Sequence, residues 1–117
     1  MAKGKEQEDI KLRYGLAIKK LIEKNKKINI SNTKKGVIEK KLDDSYSSIY
    51  TSTGLRTATI SAIINGGSEI KGYTLYQILT SLQVSFAKFG KVFDTITDKE
   101  IADYKDEIMR AKKIKKY

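Results

Sequence analysis

Apolar residues recur at spacings of three and four along much of the chain, and this spacing predicts helices. Ile10, Tyr14, Ala17, Ile18, Leu21 and Ile22 form one such series, with Lys and Glu between them, and predict a helix from about Asp9 to Lys27. Asp9 is placed to cap its start. Ile60, Ile63 and Ile64 fall on one side of a helix over 56–65, while Arg56, Thr57, Ala58, Ser61 and Ala62 fall elsewhere on its surface. Asn65-Gly66-Gly67 stops that helix, with Gly66 suited to the left-handed position that follows a helix end. Leu75, Ile78, Leu79 and Leu82 stripe a helix over 73–83. Val84-Ser85 breaks it, and Ser85 can cap a further short helix striped by Phe86, Phe89, Val92 and Phe93. Thr97-Asp98 opens a last helix with Glu100 near its start. Its seam is Ile101, Tyr104, Ile108 and Ala111, and its charge runs from acidic to basic, in agreement with the helix dipole.

Three stretches lack such a pattern. Residues 1–8 are polar and expected to fray. In residues 28–44, Ile28 and Ile30 alternate with polar residues, Asn32 to Gly36 contains turn formers, and Val37-Ile38 follows. A short hairpin pairing about 27–31 with 36–41 is the expectation; a loop leading into a short helix is the alternative. Asp43, Asp44 and Ser45 form a helix-start cluster, yet the run from Tyr46 to Thr53 is a poor helix former and its alternation also suits a strand. Gly54 closes that unit.

Composition narrows the function. The chain has 117 residues, 24 basic and 14 acidic, for a net charge of +10, with apolar residues at 39%. That length suits one domain with a single core. There is no His, Cys, Trp or Pro, which removes the usual general base, thiolate chemistry and the commonest metal ligands. No Gly-rich phosphate loop stands before a helix, and Asp43-Asp44 reads as capping, so neither an enzyme nor a cofactor or metal site is expected. No stretch approaches the roughly 18 consecutive apolar residues of a membrane span, and MAKGKEQEDIKLR lacks the apolar core of a secretory signal. A cytoplasmic protein, nucleoid-associated when bound to DNA, is expected. The surplus of positive charge points to a polyanionic partner, although 21 Lys against 3 Arg, with 16 Ile, is also what A/T-rich codons would produce. Residues 1–44 hold 13 basic and 7 acidic side chains, whereas 45–97 hold 4 and 2. The sparsely charged middle should therefore hold the core.

The stretch from Ser45 to Phe89 carries the most information. It runs from a short helix through Gly54-Leu55 to Thr59-Ile60-Ser61-x-Ile63, then Asn65-Gly66, then Thr74-Leu75-x-x-Ile78-Leu79-x-x-Leu82 and Val84-Ser85-Phe86. This ordered set resembles the lambda repressor/Cro-like (XRE) helix-turn-helix family, and the spacing from Gly54 to Phe89 matches without a gap. With 10–26 as the family's first helix, the likeness covers roughly 60 residues in two blocks. The chain departs from the pattern in four places. About 17 residues (28–44) intervene between helices one and two; Tyr46 stands where Gln is common; Ile64 stands where Glu is usual; and no Pro precedes the fourth helix.

The resemblance implies an all-α fold: a five-helix domain over 9–95, with an insertion at 27–43 between helices one and two, and an added C-terminal helix over 96–117 that dimerises or caps the domain. It implies a sequence-specific double-stranded DNA-binding transcriptional regulator, with the helix near 56–65 in the major groove. Base contacts would come from Arg56, Thr57, Ala58, Ser61 and Ala62, of which only Arg56 can grip a guanine through two hydrogen bonds. Phosphate contacts would come from Ser45, Tyr46, Thr59, Asn65 and Lys71, with Lys34 and Lys35 at the tip of the insertion. A homodimer would form through Ile101, Tyr104 and Ile108 or through Phe89, Val92 and Phe93, unless both seams complete the monomer core. The competing reading is a helical protein-interaction module, such as an antitoxin or anti-regulator.

Overall fold

The first helix, α1 (Ala2–Lys34), is much longer than its apolar stripe. At 1.5 Å per residue it spans about 50 Å, close to the 52 Å longest dimension of the molecule. The computed structural model describes residues 2–36 and 41–115. Among them α2 (Tyr46–Thr53), α3 (Thr57–Ile64), α4 (Gly72–Leu82), α5 (Phe86–Thr95) and α6 (Asp98–Lys115) follow α1, and no strand forms. The all-helical class expected from the sequence holds.

The middle of α1 is the spine of the core. Leu12, Leu16, Ala17, Ile18, Leu21 and Ile22 are buried, and α3, α4, α5 and α6 all pack against this helix. Ile60, Ile63, Ile64, Leu75, Ile78, Leu79 and Leu82 close the core from the other side, and Phe89, Ile96, Ile101 and Tyr104 complete it. Arg13 ties three elements together. Its guanidinium donates to the carbonyls of Phe93 and Ile96, reaches the Asp98 carboxylate at 3.4 Å and lies over the Phe93 ring.

Two differences from the expected elements concern α1. At its start, the helix begins at Ala2, before the expected Asp9, and Glu8 reaches Lys105 of α6 at 3.5 Å. At its end, the expected hairpin does not form, because residues 27–31 are helical; of its other strand, residues 37–40 lie outside the described residues. The physical reason is a pair of buried asparagines one helical turn apart. Asn25 donates to the carbonyls of Asp43 and Leu82 at 2.9 and 3.0 Å. Asn29 donates to the Leu42 carbonyl (2.8 Å) and to the Asp44 carboxylate (2.9 Å), and accepts from the Leu42 backbone N–H (3.0 Å). Backbone groups of the returning chain at Leu42 and Asp43 are thus met by side chains of a continuing α1.

Between strand and helix, residues 46–53 choose helix despite their composition. Ser45 accepts from the Ser48 backbone N–H, the Ser45 N–H donates to the Ser48 hydroxyl, and the two form a capping box. Thr51 and Thr53 donate back to the carbonyls of Ser47 and Ile49. Ile49 is fully buried, and Gly54 ends the helix at φ 80°, where a side chain would be strained. Tertiary burial and caps override weak intrinsic propensity here.

Candidate nucleic-acid interface

α2 and α3 are joined by the short turn Gly54-Leu55-Arg56, and α3 packs against α1 and α2. Its inner side is held from two directions. Gly15 of α1 lets the helices approach so closely that a Cβ there would meet the Ile64 carbonyl oxygen at 2.2 Å and that of Ile63 at 2.8 Å. The Tyr104 hydroxyl of α6 donates to the same Ile64 carbonyl. Burial pushes the Tyr104 hydroxyl far above its ordinary pKa, so it keeps its proton and stays a donor. Neither residue was assigned this role from the sequence, where Gly15 has no side chain to signal and Tyr104 reads as one apolar member of a seam.

The far end of α3 is closed as expected. Gly66 takes φ 73°, its N–H donates to the Ile63 carbonyl, and the Gly67 N–H donates to the Ala62 carbonyl. This is a Schellman motif. Leu12 of α1 fills the space beside Gly66.

The outer side of α3 is bare. Arg56, Thr57, Ala58, Thr59 and Asn65 are exposed, and Ser61 and Ala62 are half-buried. Arg56 occupies the N-cap position without capping the helix through its side chain. Thr57, Ser61 and Asn65 follow at helical spacing on one face, and the Asn65 amide donates to the Ser61 hydroxyl at 3.3 Å. Among the described residues no other helix packs over Arg56, Thr57 and Ala58.

The expected phosphate contacts are placed less uniformly. Lys71 is exposed and stands at the N-cap of α4. The Ser45 hydroxyl is engaged in the capping box. Tyr46 is half-buried against the core, and burial raises its hydroxyl pKa, opposed by the charge of Lys19. Lys34 and Lys35 are exposed, but they occupy the last turn of α1 and the turn beyond it, not a hairpin tip. Phe89, Ile101 and Tyr104 are buried within the chain, while Val92, Phe93 and Ile108 are partly buried against its core. Both suggested dimer seams are therefore largely consumed by the monomer.

Among the described residues no group of three or more acidic, His or Cys side chains converges to hold a metal ion, and no helix is long and apolar enough to cross a membrane. Comparison with family models, with curated proteins and with solved structures returns no match.

Proposed function

We propose that this chain is a sequence-specific double-stranded DNA-binding regulator of the lambda repressor/Cro-like kind, with α2 and α3 as its helix-turn-helix and α3 laid in the major groove. The observation that carries this reading is the open outer face of α3, with small and polar side chains outside and Ile60, Ile63 and Ile64 buried behind. Small side chains let a helix backbone come close to base edges. Arg56, at the leading end, suits the O6 and N7 acceptors of guanine; Thr57 and Ser61 suit single hydrogen bonds; Ala58 and Ala62 suit thymine methyl groups. Thr59, Asn65 and Lys71 suit phosphates, which fix register without reading sequence. Ser45 and Tyr46 contribute less, because their hydroxyls are drawn into the fold. Two copies on neighbouring half-sites would pair through Val92, Phe93 and Ile108, the members of the two seams that keep some exposure.

A gel-shift titration on mixed-sequence duplex DNA at rising salt tests the reading. Binding should weaken steeply, with about 0.9 added to the log–log slope for each phosphate neutralised. A flat salt response, or no shifted band, contradicts it. Sedimentation with and without the duplex separates it from a module that binds only protein: the complex should sediment faster with DNA present.

A further inference from the structure

All five carboxylates of α6 (Asp98, Glu100, Asp103, Asp106 and Glu107) precede its last run of basic residues, Arg110, Lys112, Lys113 and Lys115. The acidic part is matched by cations of α1, through Arg13–Asp98 at 3.4 Å, Lys19–Glu107 at 3.3 Å and Lys20–Glu100. These pairs hold α6 so that Lys112 arrives beside the far end of α3. Lys112 and Asn65 line the same two clefts, of about 250 and 420 Å³. The larger cleft is walled by the Asn65-Gly66-Gly67 turn, by Lys112 of α6 and by Lys11 of α1. Lys105 lies there too, already paired with Glu8. Asn65 belongs to the outer face of α3, one turn beyond Ser61. A single surface therefore runs from the small-residue face of α3 into a basic cleft built by three separate elements.

We infer that Lys11 and Lys112, set around the Asn65–Gly67 turn, form a second phosphate-binding site for duplex DNA, which grips the backbone flanking the segment read by α3. The inference rests on the DNA-binding reading above and adds a role for α6 beyond packing. The charge of the cleft complements a phosphodiester, and the amide of Asn65 supplies a donor beside the two ammonium groups. Such a contact carries no sequence information. It strengthens binding to any duplex by the same factor, unlike Arg56.

The test compares Lys11→Gln/Lys112→Gln with Lys91→Gln/Lys99→Gln, which removes the same charge at two exposed lysines, on α5 and in the first turn of α6. Both are titrated against a fluorescent mixed-sequence duplex across a salt series, with thermal melts as the folding control and Lys112→Gln alone as a milder variant. The cleft variant should lose about 0.9 of slope for each phosphate contact removed, while the control keeps the wild-type slope. Equal slopes in wild type and cleft variant, or equal losses in cleft variant and control, overturn the second site and leave the α3 interface standing. No binding by the wild-type protein removes both.

Discussion

A methyl group at position 15 has nowhere to go. Gly15 faces the carbonyl oxygens that end α3, at distances no Cβ tolerates, so Gly15→Ala must push α3 away from α1 or bend one of them. Overpacking of this kind typically costs about 1–3 kcal/mol. A urea titration should show the midpoint fall by the corresponding amount, and unchanged stability would mean that the helices are not in such close contact. The cost should reach function too, because the displaced helix is the one proposed to read DNA. The neighbours Tyr14 and Ala17 announce a helix by their periodicity, but a glycine inside that pattern states nothing about what lies opposite. Sequence showed which side of α3 is apolar; it could not show how close its backbone comes to α1.

At the scale of elements, α3, α4 and α5 were legible because their burial is carried by Ile, Leu and Phe at helical spacing. The last turns of α1, beyond Lys27, were not legible, because they are anchored through Asn25 and Asn29, which are buried by hydrogen bonding and leave no hydrophobic trace. Ile28 and Ile30 supplied a misleading alternation: one is half-buried and the other exposed. Asn25→Ala should leave the carbonyls of Asp43 and Leu82 without their partner, at about 1–3 kcal/mol. Chemical denaturation should register a lower midpoint with an unchanged slope, and a neutral effect would dismiss Asn25 as an anchor. The start of α6 has its own signature. Thr97 and Glu100 cap it reciprocally, at 3.2 and 3.1 Å. The hydrogen bond from Lys20, followed by that from the Thr97 backbone, holds the Glu100 carboxyl below its ordinary pKa. A carboxylate with a depressed folded-state pKa contributes stability that is present above its unfolded pKa and is lost as pH falls through the folded value. The melting temperature should therefore drop on acidification below about pH 4.5, and Glu100→Gln should drop less over that window than the wild type. Parallel curves for the two proteins would show that the Lys20–Glu100 contact does not hold α6.

For the whole molecule, the +10 charge has two sources that composition alone cannot separate, a lysine-rich codon bias and a polyanion partner. The DNA-binding proposal draws on placement, in that lysines of α1 and α6 line one cleft with the Asn65–Gly67 turn that ends α3. The two seams read as dimer interfaces show how whole-molecule properties escape a sequence: narrow apolar stripes look alike whether a partner or the chain itself covers them, and here Phe89, Ile101 and Tyr104 are covered by the chain. What decides the functional reading is whether the outer face of α3 discriminates bases. Selection of bound duplexes from a random-sequence pool measures this, run in parallel with wild type and Arg56→Ala. The wild type should enrich one defined motif containing a guanine whose preference disappears in the variant, at a cost of about 1–3 kcal/mol on the enriched site and far less on unselected DNA. A recovered pool with the composition of the input, or an identical motif from both proteins, would contradict α3 as the element that reads sequence from Arg56.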